Sequence, residues 1–151
     1  MRVLGIDYGK KRLGLALSDE EETLASPLPV YQRRDLDKDL SFLAQLVKER
    51  GAGRIVVGLP RNMDGTLGEM AQEALAFVDA LKEQTNMPIE TFDERLSTAE
   101  AERVLIQANL SRKRRKILKD SLAAVLILQG YLDSRKRRNE QQNQFGVSAR
   151  D

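Results

Sequence analysis

Histidine and cysteine are both absent from the 151 residues. The chain can therefore form no disulfide, no His or Cys zinc site, no Ser-His catalytic pair and no thiol nucleophile. Long hydrophobic runs are missing too. The longest, LAAVLIL at residues 122–128, falls far short of the about 20 residues a membrane helix needs. The N-terminus carries an arginine but neither an apolar signal segment nor a small-residue cleavage site. A soluble cytoplasmic protein with no membrane partner is the expectation. Aromatic residues are scarce, three Tyr and four Phe, so base stacking is not expected to dominate any binding of nucleic acid.

What is present suits one domain with a real hydrophobic core, expected over residues 1–138, and no internal repeat is visible. The remaining residues, 139–151, are rich in Asn and Gln and are expected to be a disordered tail. Residues 3–8 and 13–18 read as two strands joined by the short turn Gly9-Lys10-Lys11, and residues 28–31 as a third strand. Leu36, Leu40, Leu43, Leu46 and Val47 recur at helical spacing over residues 36–50, and Gly51 stops that helix. Residues 54–59 are apolar on both faces, as a central parallel strand should be, and Pro60 ends them.

Thr66 and Glu69 have the spacing of a capping box, and Leu67, Met70, Ala74, Phe77, Val78 and Leu81 continue a helix from it. Residues 89–92 read as a fifth strand. Ser97 and Glu100 have capping-box spacing before a helix ending near Leu110, and a last helix is expected over about 116–134. The order β-β-β-α-β-α-β-α-α predicts an α/β fold, a mixed sheet that begins as an antiparallel meander and is covered by helices.

Acids from three stretches converge where chemistry gathers in such sheets, beyond the carboxyl ends of the strands: Asp7 and Glu94 at strand ends, with Asp120 on a helix that could reach them. Alternation puts Val3, Gly5 and Asp7 on one face of the first strand, and small residues Gly14 and Ala16 follow on its neighbour. If these share a face, it is shallow enough for something bulky to approach Asp7. Turn capping is the plain alternative for that aspartate. Asp93 and Glu94 follow the fifth strand, where one acid near a helix start is ordinary and an adjacent pair is less so. Asp120 lies in the first turns of the last helix, with Ala123 and Ala124 expected to let that helix press against the sheet. Carboxylates drawn that close repel one another unless a cation lies between them. Oxygen-only ligands suit Mg²⁺ or Mn²⁺, and two such ions could activate water for phosphodiester hydrolysis.

The net charge of +2 conceals a strong asymmetry. Residues 112–138 hold ten Lys and Arg against Asp120 and Asp133, a net +8. Arg112, Lys113, Arg114, Arg115 and Lys116 precede the helix of Asp120 directly, and a second basic cluster follows it. Either cluster alone reads as a solvated turn or tail, but flanking a candidate ion site they fit phosphate-backbone binding. Lys10, Lys11 and Arg12 add positive charge beside Asp7, and Arg61, Asn62 and Arg95 complete the expected nucleic-acid contacts. The loop GLPRNMDGTLGE exposes glycine backbone before a helix, a suitable anion site, but lacks the Gly-Lys-Ser/Thr of a P-loop.

Four blocks, GIDYGKKRLGLALSD, VVGLPRNMDGTLGE, FDERLSTAEAE and KDSLAAVLILQGYLD, together resemble the YqgF (RuvX) family of Holliday junction resolvase-like proteins. Members are regarded as nucleases that mature the 5′ end of pre-16S ribosomal RNA. The likeness runs from Arg2 to about Leu132. It implies an RNase H-like fold with a five-stranded mixed sheet and helices on both faces. It also implies a metal-dependent nuclease, acting as monomer or homodimer on ribosomal RNA precursor or branched DNA. Its D-E-D metal site is carried here by Asp7, Glu94 and Asp120. Strand parity separates Asp93 from Glu94 without saying which faces the site, and the family pattern favours Glu94.

Two other readings compete. Gly5, Asp7 and Gly9 also fit the G-x-D-x-G hairpin of actin, sugar-kinase and Hsp70-type phosphotransferases, although 151 residues do not supply the two lobes that close over a nucleotide. A non-catalytic nucleic-acid-binding module keeping the same fold is the other. Against it, unpaired acids beside a basic surface would weaken simple phosphate binding.

Overall fold

The computed structural model describes residues 1–60, 62, 64–94 and 111–144. Its five strands are β1 (Arg2–Asp7), β2 (Arg12–Ser18), β3 (Ala25–Gln32), β4 (Ala52–Leu59) and β5 (Ile89–Asp93). They form one sheet in the order β3-β2-β1-β4-β5. β1 pairs antiparallel with β2, β2 antiparallel with β3, and β1-β4-β5 run parallel, so β1 bridges the two halves of a mixed sheet. The helices are α1 (Leu36–Arg50), α2 (Glu69–Thr85), α3 (Arg112–Asp120) and α4 (Leu122–Gln144). The expected helix ending near Leu110, with its Ser97–Glu100 box, lies outside the described residues.

Alternation along the strands splits the core in two. Leu4 and Ile6 of β1, Leu13, Leu15 and Leu17 of β2, and Ile55 and Val57 of β4 pack with Leu43 of α1 and Phe77 and Leu81 of α2. Val3, Ala16, Val56 and Phe92 face the other way and pack with Ala124, Val125, Ile127, Leu128 and Tyr131 of α4. Helices thus cover both faces, as the resemblance implies. None of the described helices is long and apolar enough to cross a membrane.

Four local expectations are corrected. β3 starts at Ala25, ahead of Pro27 and Pro29, because it is an edge strand and an edge tolerates residues without an N–H to donate. The Thr66–Glu69 capping box does not form. Thr66 gives both its N–H and its hydroxyl to Asp64 Oδ1, at 3.0 and 2.6 Å, and Gly68 is the N-cap of α2. The last helix is two helices, broken at Ser121. α4 also continues to Gln144, beyond the end expected near residue 134.

Candidate active site

α4 can lie flat on the sheet because the strands under it are nearly bare. A Cβ added to Gly5 would stand 2.8 Å from Leu128 Cβ and 3.4 Å from the Ala124 carbonyl oxygen. One added to Gly58 would stand 2.3 Å from Ile127 Cδ1. Gly14 pairs across the ladder with Asp7, and its missing Cβ would meet Asp7 Cβ at 3.3 Å and Ala124 Cβ at 3.5 Å. Asp7 therefore ends β1 on the α4 face, above a floor of Gly14 and Ala124. The shallow face expected from Gly5, Gly14 and Ala16 is present. Of the two alanines assigned to the helix contact, Ala124 makes it, whereas Ala123 is exposed.

β5 brings the second acid. Gly58 is the register partner of Phe92, and Phe92 belongs to the α4 side of the core. Two residues on, Glu94 returns to that side, and its Oε1 lies 2.8 Å from where a Gly58 Cβ would be. Asp93 has opposite parity: it pairs in register with Leu59, which packs on Ala71 and Ala74 of α2. Register thus separates the two adjacent acids and places Glu94 on the face of Asp7. Gly58, read from the sequence as part of an anion loop, instead provides the space that Glu94 occupies.

The electrostatics follow from this closeness. Burial holds the Asp7 carboxyl above its ordinary range. Burial, then the charge of Asp7, then that of Asp93, push Glu94 up to about 6.

Asp120 is placed differently from the expectation. It is the last residue of α3, half-buried, and Ser121 separates it from α4. Ser121 is itself 1% exposed and donates its hydroxyl to the Leu28 carbonyl at 2.6 Å, which pins the break to the edge strand. Among the described residues no three acidic side chains stand close enough together to hold one ion. Asp7 and Glu94 are brought together, and Asp120 stands outside a three-acid group. Two carboxylates nevertheless fit a Mg²⁺-type ion, which is usually held by one or two carboxylates together with waters and substrate phosphates.

Lys10, Lys11 and Arg12, just beyond Asp7, are exposed. Lys10 makes a 3.7 Å surface pair with Glu73, too weak to keep it from a phosphate. Arg112, Lys113, Arg114, Arg115 and Lys116 are not a turn before a helix but the exposed body of α3, whose N-terminus Ser111 caps by accepting the Arg114 N–H at 3.3 Å. Ser111 was the signal that sequence reasoning passed over. Asn62 is exposed but turned into its own loop, its amide donating to the Thr66 hydroxyl at 3.0 Å. Arg61 and Arg95 lie outside the described residues.

Comparison with known proteins bears on the family and the fold. Residues 1–134 match the family model described as RuvX: Holliday junction resolvase. A protein of Syntrophomonas wolfei is 51% identical over 133 residues, covering 88% of this chain and 94% of its own length. One of Desulforamulus reducens is 49% identical over 134 residues, covering 89% and 98%. Both carry the name "Putative pre-16S rRNA nuclease". In fold, the chain is similar to Thermus thermophilus RuvC solved in complex with a Holliday junction, with a TM-score of 0.60 at 15% identity, covering 90% of this chain and 96% of that one. The fowlpox virus Holliday junction resolvase gives 0.52 at 13% identity, covering 89% and 99%. With the match spanning both strand-end carboxylates and the basic helix, the chain belongs to the RuvX family.

Proposed function

We propose that this protein is a divalent-metal-dependent nuclease that hydrolyses phosphodiester bonds in structured nucleic acid, with the 5′ end of pre-16S ribosomal RNA as its substrate. The observation that carries the reading is the pairing of Asp7 with Glu94 on a glycine floor at the carboxyl end of the sheet. The names of the relatives support the choice of substrate, and family membership favours a nuclease over a phosphotransferase.

Asp7 and Glu94 would hold Mg²⁺ or Mn²⁺. Such an ion would supply Lewis acidity toward the scissile phosphate and activate water. The protein's own groups do the rest. Lys10, Lys11 and Arg12 neutralise phosphates next to Asp7, and the exposed cations of α3 grip the backbone of the polymer further away. Few aromatic residues are available for stacking, so recognition rests on phosphate and shape.

Cleavage of a pre-16S 5′-end fragment and of a four-way DNA junction, compared side by side, tests this. Mg²⁺-dependent cutting of the RNA that disappears in EDTA is expected. Faster cutting of the junction would assign the other substrate, and cutting that persists in EDTA would exclude the metal reading. Replacing Arg114 and Arg115 together by Ala is expected to weaken RNA binding and to lower the slope of log Kd against log salt by about 1 to 2. An unchanged slope would mean that α3 faces away from the substrate.

A further inference from the structure

Arg33 lies in the link between β3 and α1, and its contacts converge on the segment that follows Asp7. Its Nη1 donates to the Gly9 carbonyl at 2.9 Å, and its backbone N–H donates to the Lys11 carbonyl at 2.9 Å. Its guanidinium lies 5.0 Å from the centre of the Tyr8 ring and 5.4 Å from that of Phe77 in α2. Tyr8 and Phe77 also pack directly, with ring centres 5.3 Å apart. One side chain and its own amide thus contact residues 8, 9 and 11.

The other side of the guanidinium is fixed by Asp39. Arg33 Nε donates to Asp39 Oδ2 at 2.9 Å, while Oδ1 accepts the Tyr31 hydroxyl and the Arg34 N–H, each at 2.9 Å. Asp39 is fully buried and the Arg33 side chain is 13% exposed, so neither can reach a substrate. A buried ion pair of this kind adds little net stability over an apolar pair, because two charges must be desolvated. What it does supply is direction: a planar guanidinium held on one edge by a carboxylate can aim its remaining N–H groups at fixed points.

The segment being held is tight. A Cβ at Gly9 would fall 2.5 Å from the Arg12 carbonyl oxygen. A chain this constrained turns as a unit, so its anchor sets the angle at which Asp7 leaves β1. We infer that Arg33, oriented by Asp39, is a positioning residue for the strand end that carries Asp7. The inference rests on the role proposed for Asp7 above. In catalysis by orientation, a displacement of about 1 Å costs on the order of 100-fold in rate.

Arg33→Lys is the chief variant, because it keeps a cation beside Asp39 but cannot bridge Asp39 to Gly9. Arg33→Met, which leaves Asp39 buried without its partner, is the more severe control and is informative only if it folds. In Arg33→Lys, hydrogen exchange of the amides of residues 9–13 is expected to quicken at least tenfold, with those of α4 within twofold of the parent. On the pre-16S fragment in Mg²⁺, kcat is expected to fall 10- to 100-fold, with KM and the salt slope unchanged. Unchanged exchange in the turn would overturn the inference, as would an unchanged kcat. A loss confined to KM and the salt slope would also overturn it, making Arg33 a contact residue. Asp7→Asn, assayed in parallel, separates the two levels. If it still cleaves, the proposed role of Asp7 fails, while the exchange measurement still decides whether Arg33 holds the turn.

Discussion

Asp7→Asn is expected to lower cleavage by about 1,000-fold or more while nucleic-acid binding stays equal or tightens. The carboxylate stands at the carboxyl end of β1, between Gly14 and Ala124 below and the basic turn beyond. On the proposed reading, removing its charge would remove a ligand of the divalent ion. A loss of ~4 kcal/mol of transition-state stabilisation corresponds to about 1,000-fold in rate. Binding behaves in the opposite sense. An unneutralised carboxylate next to Lys10, Lys11 and Arg12 repels phosphate, so the asparagine variant should hold RNA at least as well. Rates under single-turnover conditions and a filter-binding titration separate the two effects. A variant that binds more tightly but had no cleavage to lose, because the parent has none, would identify a non-catalytic binding module.

The second large effect distinguishes neighbours in sequence. Glu94→Gln is expected to reduce cleavage by about 100-fold or more, and Asp93→Asn to stay within about threefold of the parent. Strand register puts only Glu94 on the α4 face with Asp7. Equal losses at both positions would show that register does not select the ligand.

The parent's pH dependence should follow the same residue. Burial and the charges of Asp7 and Asp93 raise Glu94 from 4.5 to about 6, so its ionised form, the one able to hold a cation, accumulates only as pH passes about 6. Cleavage should therefore climb between pH 5 and 7. Stability of the metal-free protein runs the other way. A carboxyl whose folded pKa is raised stabilises the fold below its unfolded value, near 4.5, and that contribution is lost as pH rises through about 6. Glu94→Gln, which cannot ionise, should thus melt higher than the parent at pH 7.5 and alike at pH 4.5. Because Glu94 is only half-buried, solvent screening limits this to about 1 kcal/mol, or roughly 2–4 °C.

Much of the site was legible because period-2 alternation is a strong signal. Val3, Gly5 and Asp7 alternate with Leu4 and Ile6, and the small residues Gly14 and Ala16 fall opposite Asp7 and Gly5 in the ladder. The Asp93–Glu94 choice was not legible. Parity says that two adjacent residues differ, whereas the face each takes depends on which partner Phe92 and Leu59 find across the sheet.

The start of α2 was misread because Thr66 has two possible partners. Asp64, two residues away, captures its hydroxyl before a capping box with Glu69 can form. The break at Ser121 was hidden for a related reason. Arg, Lys and Leu are good helix formers on both sides of it, and the cause is a long-range bond to Leu28 that no local pattern records. That break is why Asp120, expected in the first turns of the last helix, instead closes α3. Arg33 was passed over because one of two adjacent arginines after a strand looks like surface. Its role emerges only once Gly9, Lys11, Tyr8 and Asp39 are in place around it.

A crystal of the protein soaked in millimolar Mn²⁺ and measured at the manganese absorption edge gives the most direct reading of how the acids at the strand ends act. An anomalous peak within about 2.2 Å of one oxygen each from Asp7 and Glu94 is the expected result. Manganese ordered elsewhere, with those two carboxylates bare of metal, would contradict it.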